Sequence, residues 1–363
     1  MTDTPEPATA PQPQSPPTAH AYRWLRFAVA AFMVVLVLAM FPWTNNPTGD
    51  IKELILGWAA VGLAVMCLIV SLVQRIPLER PRVFAIPLLL LIALLLVGNA
   101  LSPHKAQGLL VVGRFAFLAA LYFVATQIYR TPEQVRRLLL IICGAMTVSS
   151  LYGFCQAIGL DPFPWDIREA DIYKELPATF GHPNFAAHML VLAIIMVVGL
   201  WATGLRWGWA AALLAILAVH LYFTGQRAGI IALLAALGLT AVAWIAGRLR
   251  TKPARRAAVA IVLAAVLGLA GGLGAMMLSK ARTGSAYPLD VSLLVRYQSY
   301  VSASEMVLDA PVLGHGPGVY GMAYSEYWTP FEQEWFAVET RMNAHVHNDL
   351  LELAIDGGMF AAG

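Results

Sequence analysis

Charge is scarce in this chain. Asp, Glu, Lys and Arg make up 12% of its 363 residues, against about a quarter in a typical soluble domain. With 59% hydrophobic residues and a mean hydropathy of +0.68, a water-soluble globule is excluded. Cysteine is scarce too. Cys67, Cys143 and Cys155 all fall in apolar runs without metal-ligand spacing, so a disulfide framework is disfavoured and they read as small buried hydrophobes. The segment Met1 to His20 is rich in Pro, Thr and Ala and has no apolar stretch, which marks a disordered cytoplasmic tail over 1–22 rather than a signal peptide. The run Trp24 to Met40 is then an uncleaved first span.

What the chain has instead is a series of apolar runs. Each is roughly 17 to 25 residues long, the length a helix needs to cross a hydrocarbon core about 30 Å thick. They predict spans near 24–42, 52–73, 83–101, 108–129, 135–159, 184–203, 207–223, 228–247 and 256–278. A further apolar helix begins near Leu350. The expected fold is all-α: a polytopic transmembrane bundle over 23–278 with about nine complete spans, a large periplasmic loop over 279–349 with short helices, and the start of a truncated tenth span over 350–363. This reads as a C-terminally incomplete member of a larger architecture.

The formal net charge of +3 says little about partners, but its distribution orients the bundle. Cytoplasmic connections carry the excess of Lys and Arg. With the tail inside, the inner connections hold Arg23 and Arg26; Arg75, Arg80 and Arg82; Arg130, Arg136 and Arg137; Arg206; and the dense set Arg248, Arg250, Lys252, Arg255 and Arg256. The acids on that side are only Asp3, Glu6, Glu79 and Glu133. Two outer connections are long, Leu160 to Pro183 and Ser279 to about Asp349, and both are rich in acids, Trp, Tyr and Pro. Loops of that length and aromatic content are functional rather than disordered.

The candidate residues gather at these outer ends. Arg227, in Thr224-Gly225-Gln226-Arg227-Ala228-Gly229, is the only charge between Arg206 and Arg248. It is either an interfacial anchor or a fork for a phosphate or pyrophosphate, which the flanking glycines let approach the backbone. Arg114, near the outer end of the fourth span, either snorkels to the interface or lines the same polar cavity. Arg296 lies on an expected helix from about Asp290 to Asp309, displaced from the face Val291, Leu294, Val295, Gln298 and Val301 to Ser302. It either binds an anionic headgroup or pairs with Glu305 or Asp309. The turn-rich Pro311 to Gly318 lacks phosphate-loop spacing.

The segment Asn343-Ala344-His345-Val346-His347-Asn348-Asp349-Leu350-Leu351-Glu352-Leu353 sits where the outer loop re-enters the membrane. A histidine there can take a proton from an acceptor hydroxyl. Two histidines at i and i+2 are the alternative start of a metal site, but no third His or Cys is nearby in sequence. Thr179 to His188 closes the other outer loop; its Asn184 fits a helix N-cap after Pro183, and His182 and His188 face the same region.

These features, in order over roughly residues 175–363, make the sequence similar to the O-antigen ligase and polymerase family: Gly181-His182-Pro183-Asn184, Thr224-Gly225-Gln226-Arg227, the Arg296 helix, Gly314-His315-Gly316-Pro317-Gly318, and His347-Asn348 followed by nine residues and Gly358. The family's last glycine is Ala361 here. The resemblance implies transfer of a glycan from an undecaprenyl-diphosphate carrier to an acceptor hydroxyl on the periplasmic face of the bacterial inner membrane, with no cofactor, no required metal and no nucleic acid. By position, His347 looks like the catalytic base and Arg227 and Arg296 like the holders of the diphosphate. Arg114, Asn348 and His345 are further candidates for substrate binding. The acceptor is lipid A core, a glycan chain or a protein hydroxyl, which correspond to ligase, polymerase and protein O-oligosaccharyltransferase. A membrane transporter is the rival class, although the discontinuous helices and midplane polar groups of transporters are missing from the pattern.

Overall fold

The computed structural model describes residues 21–41, 43–44, 46–79, 84–163, 175–248, 291–338 and 345–362. The expected ninth span near 256–278 and the tail to His20 lie outside the described residues. The regular structure among the described residues is helical. The bundle consists of α1 (Arg23–Leu38), α2 (Gly49–Val73), α3 (Ala85–Leu101), α4 (Lys105–Ile128), α5 (Pro132–Ala157), α6 (Pro183–Ala202), α7 (Trp207–Phe223) and α8 (Arg227–Arg248). After it come α9 (Val291–Asp309), α10 (Tyr320–Ala323), α11 (Pro330–Val338), α12 (Asp349–Gly357) and α13 (Met359–Ala362).

Four of these, α2, α4, α5 and α6, are long and apolar enough to cross a membrane. Helix α3, helix α7 and the 227–243 part of α8 are apolar but shorter. Seventeen residues rise only about 26 Å, a few ångströms short of the hydrocarbon core. The sequence expectation of nine complete spans is thus met by length in four helices. Lipid explains why such runs fold as helices, since every backbone N–H and C=O must find its partner within the segment. It also explains the outside of the bundle. Trp58, Leu72, Val73, Ile86, Leu89, Leu110, Trp207 and Tyr222 are all exposed, far more large apolar side chains than a water-facing surface carries.

Two cores hold the bundle. In the first, Leu25, Val29 and Phe32 repeat at helical spacing along α1 and meet Leu63 and Cys67 of α2 and Val124 and Ile128 of α4. In the second, Cys143 and Met146 of α5 pack with Ala186, Leu190, Ile194 and Val197 of α6 and Leu217 of α7. Small residues at these contacts let the helices approach closely. All three cysteines are free, Cys67 and Cys143 fully buried.

One end of the bundle is basic and knitted together. Arg26 donates to the Ile128 carbonyl at 3.3 Å, Gln127 brackets the backbone of Glu79, and Arg130 pairs with Glu79 at 3.0 Å. Thr131 and Gln134 form a capping box that starts α5 behind Pro132. The other end, called the mouth below, collects the C-termini of α1, α3, α5 and α7 and the N-termini of α2, α4, α6 and α8.

The segment after α8 builds its own small core over the mouth, in which Ala303, Met306 and Val307 of α9 meet Tyr320, Tyr324, Val346 and Ile355. The buried face of α9 therefore runs through Ser299, Ser302, Ala303, Met306 and Val307; of the face read from the sequence it keeps Ser302, while Leu294, Val295, Gln298 and Val301 are half-buried. The reason is polar. Glu332 of α11 is fully buried and accepts from Ser302 at 2.6 Å, from Ser299, from Tyr324 and from the Thr329 hydroxyl and N–H. Glu332→Ala leaves those donors unsatisfied and is expected to cost about 3 kcal/mol or more, read as a lowered Tm in detergent; an unchanged Tm would show that water replaces the carboxylate.

Glycine docks this layer on the bundle. Gly98 of α3 abuts the carbonyls of Leu313 and Asp356, His315 N–H donates to the Ile355 carbonyl at 2.7 Å, and Gly318 N–H donates to the buried Asp356 carboxylate at 2.9 Å. Gly358, which ends α12, sits at φ 80 and ψ 175, a region open essentially to glycine alone, where another residue costs about 1–3 kcal/mol. A Cβ there would also run into the Val312 carbonyl. Gly358→Ala is expected to lower Tm and detach the 345–362 segment, seen as faster proteolysis; wild-type Tm and proteolysis would contradict the docking.

Candidate functional site

The mouth is floored by the segment 175–182. Leu176 and Ala178 adopt left-handed φ values of 44 and 49, unfavourable for residues with a Cβ, and several ties hold them there. His220 of α7, fully buried, places Nε2 2.9 Å from the Leu176 carbonyl and Nδ1 2.9 Å from Ser150 Oγ. A carbonyl only accepts, so Nε2 carries the proton. Thr179 donates to the Val37 carbonyl at 2.7 Å, and Thr48 donates to the Phe180 carbonyl at 3.2 Å. Lys52 caps the C-terminus of α1 through the carbonyls of Leu36, Val37 and Ala39, each at 3.0 Å. Neither His220, inside an apolar run, nor Lys52, between Asp50 and Glu53 at the start of a span, shows its partner in the sequence pattern.

Two helices start at this floor. The cap of α6 is His182, whose Nδ1 accepts the Asn184 N–H at 3.1 Å; Asn184, expected as the cap, is displaced because Pro183 occupies the first helical position. Helix α8 starts at Arg227, which is exposed. Gly225 turns the chain at φ 66, and Gln226 donates to Glu175 at 3.1 Å. Gly229 packs on Ala187 of α6, so Arg227 and His182 stand at the same end of neighbouring helices. Neither Arg227 nor Arg296 has an ion-pair partner among the described residues. The alternative pairing of Arg296 with Glu305 or Asp309 is not made there, and Asp309 instead accepts from Tyr327 at 2.8 Å. Arg114 is committed elsewhere, to Glu53 at 2.7 Å.

The strap 345–348 lies above. Asn348 Oδ1 accepts the N–H groups of Leu350 and Leu351 at 3.1 and 3.3 Å and caps α12, so its oxygen holds the helix rather than facing a substrate. His345 Nδ1 lies 2.7 Å from Glu352 Oε1, and the other carboxylate oxygen accepts the Val346 N–H at 3.2 Å. Tyr300, one turn beyond Arg296 on α9, donates to the His347 carbonyl at 3.2 Å. That bond ties the arginine helix to the histidine strap. His347 itself is exposed at φ 58, in the left-handed region.

The two histidines are driven apart electrostatically. The hydrogen bond to Glu352 raises the His345 pKa above its usual value, against partial desolvation and the charge of Arg114. Desolvation, then the positive charges of Arg296 and His345, lower that of His347, with Glu352 opposing and His182 adding to the effect. The shift favours the neutral imidazole of His347, near a guanidinium that has no carboxylate partner among the described residues. His345 lies within electrostatic reach of Glu352 and Arg114, and His347 within reach of Arg296, His345, Glu352 and His182. Among the described residues no three His, Cys, Asp or Glu side chains converge as metal ligands.

The profile of the O-antigen ligase family matches residues 212–363, a segment that carries Arg227, Arg296, His345, His347 and Asn348. Over that segment the chain resembles the family. No curated protein and no solved structure matches the chain.

Proposed function

We propose that this multi-pass membrane protein is an O-antigen ligase-type glycosyltransferase that moves a glycan from an undecaprenyl-diphosphate carrier to an acceptor hydroxyl on the periplasmic side of the inner membrane. The observation that carries the reading is an exposed His347 whose carbonyl is tied to Tyr300, one turn from Arg296 on α9, with Arg296 lacking an ion-pair partner among the described residues and its charge lowering the His347 pKa. His347 takes the proton of the acceptor hydroxyl as the acceptor oxygen bonds to the anomeric carbon. The bond from that carbon to the diphosphate breaks, and its electron pair stays on the diphosphate. Arg296 and Arg227 neutralise the charge that develops there, where positioned donors act most strongly. Arg114 and His345 border the site, and Asn348 holds the strap that carries His347.

Ligase, polymerase and protein O-oligosaccharyltransferase share this donor chemistry and differ only in the acceptor. Reconstitution in proteoliposomes with a polyprenyl-diphosphate-linked glycan tests the class of function. Transfer to lipid A core, glycan or protein acceptors is expected, with release of polyprenyl diphosphate. Uptake of a solute without glycan transfer would favour a transporter and overturn the reading.

A further inference from the structure

Three polar clusters stand outside the reacting groups just named. The Glu332 cluster is saturated and holds α9 to α11, and the His220 cluster is saturated and holds the floor. The third is built around Glu352, in the first turn of α12, which no part of the proposed chemistry uses.

We propose that Glu352 is a positioning residue for the transfer reaction: by holding the His345 ring and the Val346 backbone with its two carboxylate oxygens, it fixes the strap from which His347 meets the acceptor. The proposal rests on the reading of His347 as proton acceptor. The geometry is a closed loop. Asn348 Oδ1 caps α12, the Glu352 N–H donates to the Asn348 carbonyl at 2.9 Å, and one helical turn on, the Glu352 side chain turns back to His345 at 2.7 Å and to the Val346 N–H at 3.2 Å. Residues on both sides of His347 are thereby tied to the same helical turn. From the third side Tyr300 holds the His347 carbonyl. A residue with a Cβ persists at φ 58 only where its surroundings over-determine it, and such strain collects at functional segments.

The carboxylate also selects a tautomer. A carboxylate only accepts, so His345 Nδ1 carries a proton toward Glu352, and in the neutral ring Nε2 is left as the acceptor. Glutamine at 352 is nearly isosteric but can accept at only one of its two terminal atoms. If its oxygen keeps the Val346 N–H, its amide must donate to Nδ1, which moves the ring proton of neutral His345 to Nε2 and inverts the donor and acceptor ends of the ring.

Glu352→Gln, Glu352→Asp, His345→Ala, His347→Ala and the double variant H345A/E352Q are compared with wild type in proteoliposomes, using a polyprenyl-diphosphate-linked glycan as donor. Glu352→Gln is expected to lose about 10- to 100-fold in kcat, the usual scale for a residue that orients a histidine from behind, with the donor KM unchanged. Glu352→Asp, which keeps two acceptor oxygens, is expected to recover most of the loss. In the double variant Glu352→Gln adds little to His345→Ala, because residues that act through one another are not additive. Wild-type kcat in Glu352→Gln, or a loss that multiplies in full on the His345→Ala background, overturns the proposal. Should Glu352→Gln fail to accumulate in the membrane, Glu352→Asp carries the test, with wild-type KM and an intermediate kcat expected and a changed KM at wild-type kcat overturning it. Activity lost in His347→Ala but kept in Glu352→Gln overturns this inference alone; a wild-type chain that transfers nothing overturns the function reading and this inference with it.

Discussion

His347→Ala is expected to reduce kcat for glycan transfer by about 10²- to 10⁴-fold, the range general-base catalysis supplies, while the protein stays folded. The fold should survive because the His347 side chain is exposed, and the bonds that shape the strap belong to its backbone carbonyl, to His345 and to Asn348. The wild-type pH profile carries a second expectation. Because desolvation and nearby positive charge lower the His347 pKa, the base remains neutral and competent as pH falls below the ordinary histidine value near 6.5. Transfer is lost only as pH falls through the lowered pKa. Titrating kcat against pH checks this, and an acid limb centred above 6.5 would assign the proton acceptor to another group.

Arg296→Ala is expected to cost about 10²- to 10³-fold in kcat/KM, the loss found when one pre-positioned donor to a developing anion is removed. Lysine at 296 should restore charge but not the planar fork, and therefore only part of the rate. The same substitution changes the base. Arg296 favours neutral His347, so its removal raises the pKa of His347 and moves the acid limb of the profile to higher pH. A loss of rate without that shift would mean that Arg296 acts on the donor from beyond reach of the histidine. Arg227→Ala is expected to lower kcat/KM comparably without moving the limb. Its sequence context, flanking glycines and no carboxylate partner among the described residues, fits it to the diphosphate alone.

The helical class and the placement of helices were legible in the sequence because lipid imposes one rule on the backbone, and length and apolarity report it. The starts of α5, α6, α7 and α9 lie close to where apolar pattern, proline and charge put them. Which arginines were open to an anion was not legible. Arg114 and Arg227 look alike along the chain, each close to the outer end of a span, yet Glu53, 61 residues away in sequence, reaches the first alone. The buried face of α9 was legible only in part for a related reason: Ser302 lies on the face read from the sequence, but an apolar pattern gave no sign that Glu332 recruits Ser299 beside it. Glu352 was hidden by proximity, being counted as part of the motif when its geometry makes it the motif's support. Asn348 shows the reverse, a motif residue whose oxygen turns out to cap a helix.

The account depends on Arg227 and His347 opening onto the same mouth. Spin labels at positions 227 and 347 of the full chain, reconstituted in lipid bilayers on a cysteine-free background, measure that separation directly by pulsed electron resonance. The account expects a distance well inside the roughly 30 Å of the hydrocarbon core, with both labels quenched by a membrane-impermeant reagent added to the same side. A separation at or beyond that thickness, or quenching from opposite sides, would contradict it.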